Sequence, residues 1–246
     1  MNLSGHNALI TGAGQGIGRA CAQALASKGA DVVLLDKNLK TLSATAKKIK
    51  AMGRRVFSRS LDLTDIPALQ EAVKEAKHEG RIDILVNNAG YDRPGTTAKI
   101  SSEDFADVLG IHLVVPFVLI QLLLPEMRSA GWGRVINVSS IYALTGAKAE
   151  VAYSTAKAGV IGLTKSVAKE AGPDGVTVNA ILPGLTRTPT IEKLMADKYK
   201  QPIVEQTPLG RMGEAEEIAN VVAFLASDEA SFITAAAIPV SGGWGI

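Results

Sequence analysis

The sequence predicts a single doubly wound α/β domain, in which helices cover both faces of a parallel seven-stranded sheet. Its 246 residues suit one large domain and do not require two. Apolar residues make up 47% of the chain and charged residues 20%, a balance that supplies a continuous core. Short apolar runs alternate with amphipathic helical patterns, which is typical of parallel strands buried on both faces.

Seven apolar runs have the length and composition of strands. In chain order they are residues 8–11, 31–35, 56–61, 82–87, 134–139, 176–182 and 236–240. Helical patterns fill most of the gaps, among them residues 19–28, 39–50, 111–124 and 151–171. The gap before the last strand is longer than the others and is divided by prolines and glycines. We expect residues 188–213 within it to form a substrate lid inserted into the single domain.

Composition disfavours several classes of partner. The net charge of +2 gives no field that would hold nucleic acid or anionic lipid. The apolar stretch 111–124 is interrupted by His112, Pro116 and Gln121 and is shorter than the roughly 18 residues of a membrane span. The single cysteine, Cys21, cannot form an internal disulfide, and no signal segment precedes the first strand. We therefore expect a cytoplasmic protein with no membrane or nucleic-acid partner and no metal site.

A glycine-rich turn follows the first strand and opens into a helix. Gly12, Gly14, Gly16 and Gly18 allow the backbone to turn tightly and approach a diphosphate, whose charge the helix N-terminus attracts. The spacing Gly-x-x-x-Gly-x-Gly differs from the commoner Gly-x-Gly-x-x-Gly fingerprint. An ordinary strand-to-helix turn is the alternative, but the flanking strand and helix favour a nucleotide site.

Asp36 follows the second strand, where a carboxylate can accept hydrogen bonds from a ribose 2′-hydroxyl and would repel a 2′-phosphate. This position favours NAD over NADP, although the neighbouring Lys37 could weaken the preference. The alternative, compatible with the first, is that Asp36 caps the following helix.

Tyr153 and Lys157 lie four residues apart in a helical stretch, so their side chains share one face. A phenol is a poor base at neutral pH, but a nearby ammonium group lowers its pKa and prepares it to exchange a proton with an alcohol or carbonyl oxygen. Ser140, just after the fifth strand, can donate a hydrogen bond to that oxygen. A Tyr-x-x-x-Lys pattern also occurs by chance on surface helices, so its functional interpretation depends on its position in the fold.

These residues, in this order, resemble the classical short-chain dehydrogenases/reductases over essentially the whole chain. The matching motifs are residues 11–18, 62–63, 87–90, 139–140 and 183–188, together with Tyr153 and Lys157. The resemblance implies a Rossmann-like fold, with Tyr153 as general acid/base and Ser140 orienting the substrate oxygen.

The same resemblance implies which residues bind the dinucleotide. The diphosphate would be held by Gly12, Gln15, Gly16, Ile17 and Gly18. The adenosine and the middle of the cofactor would be held by Asp36, Asp62, Leu63, Asn88 and Gly90. The nicotinamide end would be held by Tyr153, Lys157, Gly184, Thr186 and Thr188.

Two positions depart from the family pattern. His112 stands where the family usually has an asparagine that holds a proton-relay water. Imidazole can both donate and accept, so His112 either keeps the relay or is a buried histidine satisfied by backbone groups. Ala235 replaces a usual glycine, and we expect this change to alter only the local backbone.

The substrate preference depends on a comparison with one branch of the family. One branch of the family reduces 3-oxoacyl groups on acyl carrier protein and has basic residues near the pocket entrance, whereas residues 173–175 are Pro-Asp-Gly. The sequence therefore favours NAD-dependent interconversion of a secondary alcohol, of polyol or sugar type, with its ketone. Reduction of a 3-oxoacyl thioester is the alternative, followed by a non-catalytic NAD-binding protein.

The helices around 111–124 and 153–168 are too apolar to face water, so we expect subunit contacts there. The resemblance implies a homotetramer.

Overall fold

The fold was obtained as a computed structural model that describes residues 1–246. Seven parallel strands form one sheet. They are β1 (Asn7–Thr11), β2 (Asp31–Asp36), β3 (Val56–Ser60), β4 (Ile84–Asn87), β5 (Gly133–Val138), β6 (Val176–Pro183) and, last in the chain, Ala237–Val240. Every predicted strand is present, with ends that differ by at most two residues.

The strand order across the sheet is β3-β2-β1-β4-β5-β6, followed by Ala237–Val240. The chain runs outward from β1 to one edge and then returns to build the other half, so the order reverses between β1 and β4. A crevice opens at such a reversal, outside the carboxyl ends of the strands, and ligands of open α/β sheets bind there. The doubly wound architecture predicted from the sequence is confirmed.

Helices cover both faces of the sheet. One face carries α1 (Gly16–Ser27), α2 (Leu39–Lys50) and a late helix, Ala215–Leu225. A core that includes Leu25, Ile49 and Val222 seals them against the strands. The other face carries α3 (Ile66–Lys77), a long central helix and the helix Val151–Ala171, packed through Leu69, Leu119 and Val167. The two apolar layers leave only the strand ends free to bind a ligand.

The long central helix runs without a break from Ser102 to Ser129. It consists of α4 (Ser102–Leu109), a π-helical turn (Gly110–Val114) and α5 (Val115–Ser129). Its length and its mean hydropathy of 2.3 over 18 residues would allow it to cross a membrane, but half of that window is buried inside the fold, as in a core helix.

After α5 come a short helix, α6 (Tyr142–Thr145), and α7 (Val151–Ala171). The stretch between β6 and the last strand then holds α8 (Pro189–Leu194) and α9 (Asp197–Gln206). Before and after these two helices, β7 (Thr186–Arg187) pairs with β8 (Gly213–Glu214). Beyond them lie α10 (Ala215–Leu225) and β9 (Ala237–Val240). The residues predicted as a lid therefore form two short helices closed at their base by a two-stranded pairing.

Ala235, which replaces a glycine of the family pattern, has a φ of 60° and so lies in the left-handed region. Its amide donates to the carbonyl of Val178 at 2.8 Å, which ties this conformation to the edge of the sheet. An alanine side chain crowds the backbone there, at a cost of roughly 1–2 kcal/mol that glycine avoids.

Ala235→Gly is therefore expected to raise the free energy of unfolding by about 1 kcal/mol. Urea denaturation followed by circular dichroism measures the change. The matched control is Ala236→Gly, because the φ of Ala236 is not positive and glycine there only adds chain entropy to the unfolded state. If both variants were equally destabilised, strain at Ala235 would be disproved.

Candidate active site

The glycine turn between β1 and α1 presents backbone N–H groups to the crevice. Gln15 precedes the helix, and no side chain caps the N–H groups of the first turn. Gly12 and Gly16 have φ values of 65° and 52°, which glycine adopts freely. The first turn can therefore donate to an anion. The alternative of an ordinary strand-to-helix turn does not account for these uncapped donors at the strand ends.

Two glycines bring the backbone of this turn against its neighbours. A Cβ on Gly18 would lie 2.2 Å from the carbonyl oxygen of Gly12, and one on Gly12 would lie 2.9 Å from Nδ2 of Asn88. Asn88 fastens the turn to the end of β4: its Nδ2 donates to the carbonyl of Thr11 at 2.9 Å, and its backbone N–H donates to Oγ1 of Thr11 at the same distance. Ile17 packs against the core below the turn.

Asp36 lies at the end of β2, beside the glycine turn. One carboxylate oxygen accepts from the N–H of Gly14 and the other from the N–H of Asn38, both at 2.8 Å. The helix-capping role considered for Asp36 belongs to Asn38, whose side chain accepts from the N–H of Thr41 at 3.1 Å. The ammonium of the neighbouring Lys37 lies 5.1 Å from the ring centroid of Tyr91. A negative charge therefore stands at the predicted ribose position.

The third strand leads to Asp62 and Leu63. The carboxylate of Asp62 accepts from the N–H and hydroxyl of Thr64 at 2.9 and 2.7 Å. These bonds, led by the hydroxyl, hold the pKa of Asp62 below its ordinary value. Leu63 is buried in the core layer on the α3 side. Both residues lie on the β2–β3 side of the crevice, where the resemblance expects an adenine.

The other end of the crevice is formed by the segment after β6. Gly184 is pressed against Ser241, since a Cβ would lie 2.8 Å from its Cα. Thr186 is buried, and its hydroxyl donates to the carbonyl of Gly184 at 3.0 Å. Thr188 caps α8 by accepting from the N–H of Ile191 at 3.3 Å.

This segment also connects to the glycine turn. The side-chain amide of Gln15 donates to Oγ1 of Thr190 at 3.2 Å, so the first helix of the predicted lid contacts the turn directly.

Ser140, Tyr153 and Lys157 come together where β5 ends. Ser139 donates from Oγ to the carbonyl of Lys157 at 2.8 Å, and the Lys157 ammonium donates to the carbonyl of Val138 at 2.6 Å. These two bonds fasten α7 to the strand. The ammonium lies 5.5 Å from the ring centroid of Tyr153, and the Ser140 side chain lowers the pKa of the Tyr153 phenol. The three predicted side chains thus form one cluster.

The pKa values in this cluster differ from the expectation. Burial lowers the pKa of Lys157 to about 7, because the charged form loses its hydration. Burial raises the pKa of the Tyr153 phenol to about 12, and Ser140 offsets only part of that rise. From the sequence, Lys157 is expected to lower the pKa of Tyr153. In the structure, the loss of solvation is the largest influence on that pKa and keeps the phenol protonated at neutral pH.

His112 lies on the π-helical turn and faces the same cluster. Its Nε2 is 2.8 Å from the carbonyl of Tyr91, while Nδ1 is buried without a partner. The ring meets that of Tyr153 edge-on, with centroids 5.2 Å apart. Burial, followed by the charge of Lys157, holds the pKa of His112 well below its ordinary value. The imidazole is therefore neutral, donates from Nε2 and keeps one free acceptor.

Three further residues lie around the phenol. The Tyr142 ring meets the Tyr153 ring edge-on with centroids 6.5 Å apart, and the Trp244 ring meets that of Tyr142 with centroids 5.5 Å apart. Glu150 was not singled out at all. Its carboxyl raises the pKa of both tyrosines, after the larger effect of burial on each. No local motif marks Glu150, and only its place three residues before Tyr153 could have drawn attention to it.

Comparison with known proteins gives a consistent family. A family model described as "Enoyl-(Acyl carrier protein) reductase" matches residues 12–245. The chain is 41% identical over 246 residues to a 3-oxoacyl-[acyl-carrier-protein] reductase, FabG, of Aquifex aeolicus, covering 99% of this chain and 98% of that protein. It is 38% identical over 244 residues to FabG of Thermotoga maritima, covering 99% of each chain.

A relative with a different name is (2S)-[(R)-hydroxy(phenyl)methyl]succinyl-CoA dehydrogenase subunit BbsD of Thauera aromatica. It is 38% identical over 244 residues, which cover 99% of this chain and 98% of that protein.

Solved structures agree with this grouping. Levodione reductase superposes with a TM-score of 0.94 at 35% identity, covering 98% of each chain. A 3-oxoacyl (acyl-carrier-protein) reductase from Agrobacterium tumefaciens C58 with NADP bound gives 0.93 at 31% identity, covering 99% of this chain and 95% of that one. NAD⁺-bound xylitol dehydrogenase gives 0.93 at 31% identity, covering 99% and 100%.

The relatives overturn the substrate preference drawn from the sequence. The preference for a polyol or sugar-type alcohol is wrong, because relatives 37–41% identical over nearly the whole chain are named 3-oxoacyl reductases. That preference rested on the lack of basic residues at 173–175. In the structure Asp174 is paired with Arg128, Nε to Oδ2 at 2.6 Å, at the far end of α7 from Tyr153. The charge of residues 173–175 therefore does not indicate the charge of the whole surface on which a substrate would dock.

Gly90 and His112 are expected to show coupled stabilities, because a Cβ on Gly90 would lie 1.9 Å from Cε1 of His112. Gly90→Ala should lower the free energy of unfolding by about 1–3 kcal/mol, the usual cost of overpacking. In a His112→Ala background the clash is absent and the same substitution should cost less. Chemical denaturation of the four proteins measures the coupling. Equal costs in both backgrounds would show that the two residues do not touch.

Proposed function

The chain belongs to the short-chain dehydrogenase/reductase family, and on that premise we propose that it reduces the 3-keto group of a 3-oxoacyl thioester with a reduced nicotinamide cofactor. The observation that carries the proposal is the convergence of Ser140, Tyr153 and Lys157 at the end of β5. The printed names of the relatives support the substrate class.

The crevice has the features that a nicotinamide dinucleotide requires. Its uncapped helix turn suits a diphosphate, and a Cβ at Gly14 would fill the space against Asp36, at 2.9 Å from Oδ2. We assign the diphosphate to the turn of Gly12, Gln15, Gly16, Ile17 and Gly18. The remaining cofactor contacts are assigned to Asp36, Asp62, Leu63, Asn88, Gly90, Tyr153, Lys157, Gly184, Thr186 and Thr188.

We further propose NAD(H) over NADP(H). Asp36 holds a carboxylate at the expected ribose position, where it would repel a 2′-phosphate. The cofactor, when bound, supplies a hydride to the keto carbon.

The chain's residues supply the proton and the orientation. Ser140 donates a hydrogen bond to the keto oxygen and fixes its position beside Tyr153. Tyr153 gives its proton to that oxygen as the carbon accepts hydride, so the ketone becomes a secondary alcohol. A phenol with a pKa of about 12 is protonated at neutral pH, which suits this direction. Lys157, whose pKa is about 7, can then return a proton to the phenolate.

His112 is assigned to the proton path behind Lys157. Its free Nδ1 is an acceptor suited to an ordered water, while Nε2 is held by the carbonyl of Tyr91. This arrangement combines the two roles weighed for His112, since one nitrogen is satisfied by backbone and the other is open.

Three further assignments belong to the proposal. Residues 188–213 act as a substrate lid, because α8 contacts the glycine turn through Gln15 and Thr190. The protein forms a homotetramer, for which the half-exposed Val114 and Phe117 on the central helix offer apolar contact surface. It works in the cytoplasm on a small-molecule thioester, without a nucleic-acid or membrane partner.

The wild-type protein is expected to oxidise NADH when given an acetoacetyl thioester, followed by the loss of NADH absorbance. Tyr153→Phe should lower kcat by at least about 100-fold with a small change in KM, because it removes the proton donor but not the pocket. Ser140→Ala should lower kcat less, and the control Ser231→Ala, on the exposed surface, should retain full activity. Crotonyl thioester, which is an enoyl thioester, and xylitol, which is a polyol, are tested in parallel as alternative substrates. Full activity of Tyr153→Phe, or turnover of crotonyl thioester alone, would contradict the proposal.

NADH is expected to bind more tightly than NADPH, as measured by fluorescence titration. Asp36→Asn removes the charge that repels a 2′-phosphate and should narrow the ratio of the two dissociation constants by about tenfold, equivalent to roughly 1.4 kcal/mol. Glu170→Gln, which removes a charge from the exposed end of α7, should leave the ratio unchanged. Tighter binding of NADPH by the wild type would refute the role of Asp36.

A further inference from the structure

Tyr91, in the loop after β4, is held at two points by the long central helix. Its hydroxyl donates a hydrogen bond to Oδ1 of Asp107 at 2.5 Å. Its backbone carbonyl accepts from Nε2 of His112 at 2.8 Å. Asp107 belongs to α4, and His112 lies on the π-helical turn that follows, a form of helix that is frequent at functional sites. One tyrosine therefore connects the loop to both segments of the helix.

Both carboxylate oxygens of Asp107 have partners. Oδ1 accepts from Tyr91, and Oδ2 accepts from Nη2 and Nε of Arg93 at 3.2 and 3.3 Å. Hydrogen bonds that involve a charged group are stronger than those between neutral groups. Burial, followed by the hydrogen bond to Asp107, raises the pKa of the Tyr91 phenol to about 12, so the hydroxyl keeps the proton that it donates. Asp107 is therefore a firm anchor for this hydroxyl.

The ring of Tyr91 has further contacts that restrain it. It packs against the core layer on the α3 side. The ammonium of Lys37 and the guanidinium carbon of Arg93 lie 5.1 and 5.4 Å from the ring centroid, and cations at such distances are attracted to an aromatic ring. The side chain thus holds the backbone of Tyr91 against the central helix.

The imidazole of His112 depends on this loop. A carbonyl can only accept, so the bond to Tyr91 requires the proton on Nε2 and leaves Nδ1 as an acceptor. Nδ1 is buried and has no partner. The ring also lies against Gly90, where a Cβ would come within 1.9 Å of Cε1. Because the hydrogen bond at one ring nitrogen determines the tautomer, the carbonyl of Tyr91 determines which nitrogen of His112 is free.

We propose that Tyr91 is a positioning residue for His112. By anchoring its hydroxyl on Asp107, Tyr91 holds its carbonyl where it keeps the imidazole in the tautomer whose Nδ1 can accept a proton-path water. This inference rests on the proposed function, in which His112 serves the proton path behind Lys157. It goes beyond that function, because neither Tyr91 nor Asp107 is among the predicted site residues.

The direct test reads the tautomer of His112 by nuclear magnetic resonance, without substrate or cofactor. The chain has three histidines, so protein carrying isotope-labelled histidine gives few side-chain nitrogen signals, and His112→Asn identifies those of His112. The wild type should show one tautomer with an observable Nε2–H proton. Tyr91→Phe keeps the ring and removes only the hydroxyl. In that variant the two nitrogen signals should move toward each other, and the Nε2–H signal should be lost to exchange with water.

Variants of Asp107 provide the matched set. Asp107→Ala should reproduce the spectrum of Tyr91→Phe, whereas Asp107→Asn keeps an acceptor oxygen and should retain the wild-type tautomer. The control is Asp104→Ala, since Asp104 lies on the same helix and 3.7 Å from Arg93 but has no hydrogen bond to Tyr91. This control should leave the His112 signals unchanged. Combining Tyr91→Phe with Asp107→Ala should add nothing, because both remove the same interaction.

Kinetics give the second readout. Tyr91→Phe should lower kcat for reduction of an acetoacetyl thioester by about tenfold with little change in KM, because displacing a proton-path group slows the reaction without weakening substrate binding. In a His112→Ala background the same substitution should not lower kcat further, since Tyr91 acts through His112. Circular dichroism confirms that each variant is folded. A merely structural role of Tyr91 would lower kcat equally in both backgrounds.

The two proposals can fail separately. If the wild type does not reduce an acetoacetyl thioester, the proposed function is wrong, but the nitrogen spectra still test the positioning of His112. If Tyr91→Phe and Asp107→Ala both leave the tautomer and the Nε2–H signal of His112 unchanged, the positioning role is disproved, even in a protein that reduces thioesters.

Discussion

The site depends on the attachment of α7 to the end of β5. Two hydrogen bonds make that attachment, from Ser139 to the carbonyl of Lys157 and from the Lys157 ammonium to the carbonyl of Val138. They bring the phenol of Tyr153 next to Ser140, on the loop that follows the strand. They also place the ammonium group in a dry environment, where its pKa falls to about 7. The attachment of α7 to β5 therefore determines both the position of Tyr153 and the pKa of the neighbouring Lys157.

A buried polar chain supports this attachment from below. The side chain of Asn87 on β4 donates to Asn137 on β5 at 2.8 Å, and Asn137 donates to Thr164 on α7 at 2.9 Å. Polar groups in a core fix a geometry because they lose free energy if their partners move away. The central strands β4 and β5 are thus connected to the helix that bears the phenol.

The charges around the phenol are arranged unevenly. An ammonium group and a neutral imidazole lie close to the Tyr153 ring, and the carboxyls of Asp92 and Glu150 raise the pKa of its phenol. Burial is the largest single influence on the phenol, and it acts in the same direction as the carboxyls. The chain alone keeps Tyr153 protonated, so the positive charge expected to promote its ionisation in alcohol oxidation would have to come from an oxidised nicotinamide.

The sequence by itself determined the seven strands, the doubly wound sheet and the three side chains, Ser140, Tyr153 and Lys157, that the fold brings together, because these follow from local periodicity and from motifs read in order. It also located the glycine turn and the carboxylate at the end of β2. The tertiary structure decided what depends on distance and solvation. The contact between Gly90 and His112 joins residues 22 positions apart in the chain, and the raised pKa of Tyr153 comes mainly from burial, which depends on the whole fold. The proposed substrate class depends neither on the sequence motifs nor on the structure, because it comes from the names of the relatives. Spacing along the chain indicates which side chains share a helix face. Only the packed fold determines which side chains are buried together and lose their hydration.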